Sequence, residues 1–186
     1  ISFNCISVDG HESTSDSVIL LANGASGASP ATESEKTAFQ AGLNEVAMKL
    51  ATDIIRDAEG AHHFVEINIT GCRTRDEAFR IAKTIADSPL VKTAVCGADP
   101  NWGRIVAAAG RAGVAFDIQR LTVRVGGILL FEHGLPHDEA APQAAEVFRR
   151  DTVDVDLDLG AGPASATIWG CDLSAEYVRI NGEYRT

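Results

Sequence analysis

The run Val91-Lys92-Thr93-Ala94-Val95-Cys96-Gly97-Ala98-Asp99-Pro100-Asn101-Trp102-Gly103-Arg104 carries the densest local instructions in the chain. Its β-branched and apolar start, Val91, Thr93 and Val95, predicts a strand, and Gly97 releases the backbone from it. Asp99 then stands as the cap of a helix opening on Pro100. A missing N–H costs nothing there, and the carboxylate can accept from a following amide. Ile105 to Ala109 continues that helix, and Gly110 to Gly113 ends it. Trp102 beside Gly103 is expected to pack its ring under the strand-to-helix corner.

Working outward, Val65, Ile67 and Ile69 alternate within a strand predicted from Phe64 to Thr70 and closed by Gly71. Thr74-Arg75-Asp76-Glu77 has capping-box spacing and starts a helix that buries Ala78, Ala82 and Ile85 and stops before Pro89. With the Val91 strand these form a β-α-β unit, whose crossover is right-handed if the strands are parallel neighbours. Downstream, Leu121 to Val125 and Ile128 to Phe131 flank Gly126-Gly127. That is a hairpin signal, because glycine supplies the positive φ of a tight turn. Asp138 to Arg150 predicts a helix with Pro142 near its first turn. Asp151 to Leu159 alternates strictly, as a half-exposed strand does, and its aspartates share one side without wrapping a cation. A strand from Ala164 to Cys171 follows, then a helix capped by Ser174 that runs through Ile180 and is released by Asn181-Gly182.

Toward the N-terminus, Ile1 to Val8 alternates like a strand from its first letter without a starting methionine, so polypeptide upstream of Ile1 is expected. Ser13 and Asp16 predict a short helix from about Thr14 to Asn23, and Gly24 to Pro30 a loop. A long helix from about Glu33 to Ala58 is expected to bury Phe39, Leu43, Val46, Leu50 and Ile54. Asp57 and Glu59 fall in its last turn before Gly60, where acids oppose the helix dipole by about 0.3–1 kcal/mol each. Such a violation marks either a frayed, solvated end or a functional site.

With 186 residues, 45% hydrophobic and 23% charged, the chain can build one core, and no boundary divides 1–186. The class is α+β, with sheets covered by helices. A net charge of −10 repels phosphate backbones and argues against a nucleic-acid partner. No apolar run reaches bilayer length, so no membrane partner is expected. Cys5, Cys72, Cys96 and Cys171 are scattered without a Cys-x-x-Cys pair and read as small buried hydrophobes in a reducing, cytoplasmic setting. His62-His63, Glu132-His133 and His137-Asp138-Glu139 offer metal-ligand types. Gly134 and Pro136 break the helix that would align His133 with His137, so exposed loop histidines and no metal are expected. Ser13, Ser15 and Ser17 near His11 read as capping residues rather than as part of a triad.

Several segments then speak together. They are Ser7-Val8-Asp9-Gly10, Ser13-Thr14-Ser15-Asp16, Leu20-Leu21-Ala22-Asn23-Gly24, Asp57-Ala58-Glu59-Gly60, and Val91 to Ala94 continuing into Asp99-Pro100-Asn101-Trp102-Gly103-Arg104. Asp172-Leu173-Ser174 with Tyr177-Val178, and the tail Asn181-Gly182-Glu183-Tyr184-Arg185-Thr186, complete the series. In this order, across the whole chain, they resemble the second half of the glutamate N-acetyltransferase (ornithine acetyltransferase) family. His11-Glu12 departs from it, since the family more often has Asp-Thr there.

The resemblance implies a layered helix-sheet-sheet-helix fold of the N-terminal-nucleophile aminopeptidase-like kind. It implies a precursor that cuts itself, with a β chain beginning on a catalytic threonine that carries acetyl from N-acetylornithine to glutamate. An N-terminal threonine suits this, since its α-amine can take the hydroxyl proton. That threonine, the oxyanion groups and a substrate-binding lysine would lie upstream of Ile1, so this chain alone is expected to be inactive. Carried over residue by residue, Glu59, Asn181 and Thr186 are the expected substrate-binding residues: a carboxylate for an ammonium, an amide and a hydroxyl for polar ends. No cofactor is implied. The implied partners are an α chain from the same precursor and small-molecule substrates, in an oligomer of αβ heterodimers, with acetyl-CoA left open as a second donor. Two other readings remain at this point: a hydrolase of the N-terminal-nucleophile type, and a non-catalytic binding module.

Overall fold

The computed structural model describes residues 1–183. Seven strands, β1 (Ile6–Ser7), β2 (Phe64–Cys72), β3 (Thr122–Val125), β4 (Ile128–Glu132), β5 (Leu135–Pro136), β6 (Thr152–Asp158) and β7 (Ala164–Cys171), form one mixed sheet in the order β1-β7-β2-β6-β3-β4-β5. Six helices accompany it: α1 (Glu33–Arg56), α2 (Arg75–Ala86), α3 (Pro89–Cys96), α4 (Trp102–Gly110), α5 (Ala141–Val147) and α6 (Ala175–Glu183). The α+β class expected from the sequence is the class observed.

Register explains the two faces of the sheet. Val65, Ile67 and Ile69 of β2 lie opposite Val153, Val155 and Leu157 of the parallel strand β6, and all six are buried. Glu66, Asn68 and Thr70 lie opposite Asp154, Asp156 and Asp158 on the other face. The apolar face carries the main core, where Ile81 and Ile85 of α2 and Ile105 and Ala108 of α4 join the strand residues. Each large aliphatic side chain buried there contributes about 1.5–3 kcal/mol. The opposite face is polar and hydrogen-bonded: the Trp169 indole donates to Glu66 (2.8 Å), and Asn68 donates to Asp156 (3.1 Å). At one end of that face Ile55 of α1 packs on Phe64 and Cys171 in a smaller cluster.

The hairpin forms as expected, with Gly126 and Gly127 at φ 55° and 80° between β3 and β4. The predicted β6 and β7 are strands, and α2 buries the expected face beneath a Thr74 cap that accepts from the Glu77 N–H.

The Val91 to Val95 strand is overturned: these residues are helical, in α3. Ser88-Pro89 opens that helix, and Val91, Ala94 and Val95 form its buried face at helical spacing. The gain from that burial exceeds the few tenths of a kcal/mol by which β-branched residues disfavour helix. The β-α-β unit therefore does not form, and β2 has parallel β6 and antiparallel β7 beside it. The next helix starts later than expected. Its cap is Asn101, whose Oδ1 accepts from the Arg104 N–H at 3.1 Å, rather than Asp99. Trp102 is half-buried and stacks on Phe131, with ring centroids 4.8 Å apart.

Nearer the N-terminus, Ile1 to Val8 resolves into a 3-10 turn, Phe3–Cys5, and the two-residue β1. The helix expected over Thr14 to Asn23 is absent. Ser13 Oγ accepts from the N–H groups of Ser15 and Asp16 (both 3.1 Å), closing a local turn, and Val18 to Leu21 remain largely exposed. The stripe of α1 is the largest correction: Phe39 is 65% exposed, Val46 58%, Leu50 52% and Ile54 48%, while the buried residues of α1 are Ala51 and Ile55. Finally, α5 is shorter than predicted and follows a 3-10 turn at Asp138–Ala140, and Asn181-Gly182 lie inside α6 instead of ending it. Among the described residues no helix is long and apolar enough to cross a membrane.

Candidate functional site

The site is built where the loop after α1 meets the junction of β7 and α6. The capping box of Thr32 and Glu35 starts α1, and Asp57 caps its end, with its N–H on Asp53 O. Glu59 therefore lies beyond the helix, and only Asp57 meets the negative C-terminal carbonyls; the dipole conflict expected for Glu59 is not present. Gly60 follows at φ +68°, and an added Cβ would come within 2.8 Å of the Tyr177 Cα and closer still to its N. That close approach lets Ser174 Oγ donate to Gly60 O (2.5 Å) while accepting from the Tyr177 N–H (3.2 Å). The same serine thus caps α6 and ties it to the Glu59 loop.

Of the three residues expected to bind substrate, two come together. The Asn181 amide donates to Glu59 Oε2 at 3.4 Å and to Tyr177 O at 3.0 Å, and both side chains are exposed. Thr186 lies outside the described residues.

Sequence reasoning missed the groups that hold this corner. The Tyr177 hydroxyl donates to Asp9 Oδ2 at 2.7 Å, and Asp9 Oδ1 accepts the His11 N–H at 3.0 Å. Buried Lys92 donates from Nζ to Cys171 O (2.5 Å) and lies 3.7 Å from Cys171 Sγ, while Leu173 N–H donates to Lys92 O (3.3 Å). Asp172 is 3% exposed and accepts the N–H groups of His62 (2.8 Å) and His63 (3.0 Å) on Oδ1. Burial raises the Cys171 thiol, and the Lys92 ammonium beside it only partly offsets this, so it is a poor nucleophile at neutral pH. Once α3 is read as a helix, Lys92 is a charge on its buried side, which is the signal that could have found it. The Asp172-Leu173-Ser174 run was visible, but not what it would hold.

Of the histidines, His62, His133 and His137 keep exposed or half-exposed loop positions, whereas His63 is mostly enclosed, with its side chain 14% exposed. All four cysteines are free, and Cys96 is partly exposed instead of buried. An open groove of about 1210 Å³ runs between the N-terminal segment and α1, lined among others by Val8, His11, Val18, Leu50 and Ile54.

Comparison with known proteins adds what geometry cannot. The ArgJ family model matches residues 1–186. "Arginine biosynthesis bifunctional protein ArgJ 1" of Nostoc sp. is 47% identical over all of this chain and 48% of its own length. "Glutamate N-acetyltransferase" of Methanopyrus kandleri is 47% identical over all of this chain and 49% of its own. The crystal structure of arginine biosynthesis bifunctional protein argJ from Bacillus halodurans superposes with a TM-score of 0.92 at 36% identity, covering 98% of this chain and 87% of that one. The chain spans about half the length of the curated relatives it matches.

Proposed function

This chain belongs to the ArgJ family, and from that premise we propose that it is the β-chain portion of a glutamate N-acetyltransferase, working with an α chain cut from the same precursor. The proposed reaction carries acetyl from N2-acetyl-L-ornithine to L-glutamate through a threonine ester. The threonine lies upstream of Ile1, and its α-amine takes the hydroxyl proton as the oxygen attacks the acetyl carbonyl. The C–N bond then breaks as the ornithine nitrogen takes that proton, and the glutamate amine attacks the ester to regenerate the hydroxyl.

The share assigned to this chain is recognition. Glu59 supplies a carboxylate for the side-chain ammonium of ornithine, a charge-assisted contact. Asn181 holds that carboxylate and offers its amide to the substrate, and Thr186 adds a hydroxyl. Relatives named bifunctional fit acetyl-CoA as a second donor to the same threonine. The assembly is proposed to be a cytoplasmic oligomer of αβ heterodimers.

The observation that carries the reading is that Glu59 and Asn181, assigned to substrate from separate sequence segments, are neighbours. The test compares the full processed precursor with this chain alone, each given N-acetylornithine and glutamate. Acetylglutamate and ornithine are expected only when the upstream threonine is present. Acetate without acetylglutamate favours a hydrolase instead, and binding without turnover favours a non-catalytic module.

A further inference from the structure

Asp172 leaves one oxygen unaccounted for. Its Oδ1 is taken by the His62 and His63 amides, while the fully buried Oδ2 meets no well-directed donor, its nearest neighbour being the equally buried Nδ1 of His63. The His63 Nδ1 stands 3.2 Å from Oδ2 and the His62 Nδ1 stands 3.7 Å from it, from the solvent side. Cys96, at the end of α3, completes the corner: its Sγ, a ring nitrogen of His62 and a carboxylate oxygen of Asp172 all lie within 4.8 Å of one another. A buried carboxylate oxygen whose donors are poorly directed favours something positive beside it.

We propose that Asp172, His62 and Cys96 form a site for a divalent transition-metal ion, with Zn²⁺ the best-fitting and a water completing the coordination. The donor set decides the ion. One imidazole nitrogen, one thiol sulfur and one carboxylate oxygen suit Zn²⁺, whereas Mg²⁺ and Ca²⁺ require oxygen. Donors of a tetrahedral zinc stand roughly 3.5 Å apart, so the three groups need only a modest inward movement. His62 can supply that movement, because its side chain is 59% exposed and free to turn. The same exposure gives the ion an entry path. On binding, the Cys96 thiol loses its proton to solvent and the sulfur bonds the metal, with no change of oxidation state.

The ion would join three segments that are distant in sequence: the loop following Glu59, the end of α3 and the start of the β7 to α6 junction. It would therefore brace the corner that sets the spacing between Glu59 and Asn181. The site does not depend on the acetyl-transfer reading, since its ligands are not the substrate residues and its test reads binding.

The experiment uses the untagged chain, stripped with chelator and titrated with Zn²⁺ by calorimetry, and with Co²⁺ by visible absorption. The expected result is one ion per chain, a rise in Tm with Zn²⁺ and none with Mg²⁺ or Ca²⁺, and a sulfur-to-cobalt charge-transfer band. C96S should abolish that band and, like H62A, weaken Zn²⁺ binding at least tenfold, while both variants keep the metal-free Tm. Because Asp172 also holds two backbone amides, its variants are not the primary test. The proposal is overturned if C96S and H62A bind as the wild type does, if H133A/H137A is the variant that loses the ion, or if no binding is seen at millimolar Zn²⁺.

Discussion

The Glu59 carboxylate stands 3.4 Å from the side-chain amide of Asn181, 122 positions further along the chain. Their contact is too exposed to hold the corner together, and it is Ser174, bonded to Gly60 O and the Tyr177 N–H, that sets the distance. Removing either partner should therefore leave folding intact and act on substrate. On the proposed recognition role, E59A or E59Q in the processed enzyme should lose a charge-assisted contact of about 1.5–3 kcal/mol, which corresponds to roughly a 10- to 150-fold drop in kcat/KM for N-acetylornithine. N181A should cost less than E59A, and the Tm of both variants should match the wild type. An unchanged kcat/KM in E59A removes Glu59 from recognition.

Two glycines near each other in sequence should respond in opposite directions. Gly60 has φ +68° and no room for a Cβ against the backbone of Tyr177, so G60A must open the loop from α6 and lose the Ser174 bond. A loss of about 2 kcal/mol or more is expected. Gly42 sits inside α1 with nothing within 4 Å of the added atom, so G42A should stabilise by about 0.5–1 kcal/mol. Urea midpoints of the two variants measure both. Equal effects in the two would contradict the close approach.

The Asp9 and Tyr177 pair makes stability depend on pH at both extremes. Burial raises the Asp9 carboxyl, but the His11 N–H and the Tyr177 hydroxyl that donate to it more than reverse this, holding it below the ordinary 3.8. The Tyr177 hydroxyl is pushed up to about 12 by its bond to Asp9, then by burial. Lys92 and His11 also face the carboxylate, and Cys171 and Glu59 also face the phenol. A depressed carboxyl stabilises above its unfolded value, and that stability goes as pH falls through the folded one. A raised phenol stabilises fully below its unfolded value of 10.0, and that stability goes as pH climbs toward about 12. The stability gap between wild type and Y177F should thus be flat through neutrality and close at both ends. In Y184F, which leaves Tyr177 as the single tyrosine, phenolate absorbance should titrate near 12, and adding D9N should bring it back toward 10.

How far the fold was legible follows from which rules act locally. The Gly126-Gly127 hairpin, the alternation of β6 and the Thr74 cap are each decided by neighbours in sequence, and each forms as read. Val91 to Val95 misled because a short apolar run with β-branched residues suits a strand or a buried helix equally well, and the deciding signal was Ser88-Pro89 just before it. The site was legible only in part. Glu59 and Asn181 came from resemblance, while Asp172, Lys92 and Asp9 act through partners 79 or more positions away that no local pattern reveals.

Periodicity in α1 reported an apolar stripe correctly but not what covers it, and in this chain Phe39, Val46, Leu50 and Ile54 face water. On the αβ assembly proposed above, the occupant expected on that stripe is the α chain, seated along the groove that Leu50 and Ile54 line. Side chains already in water contribute little to the isolated chain, so V46E/L50E should change its stability by no more than about 0.5 kcal/mol. The same substitutions placed in the precursor would bury two charges against an apolar surface, at several kcal/mol each. Co-expressed α and β chains should co-purify as wild type and separate as V46E/L50E. A loss of Tm in the isolated variant, or undiminished assembly of the precursor chains, would mean that this helix face is not where the two chains meet.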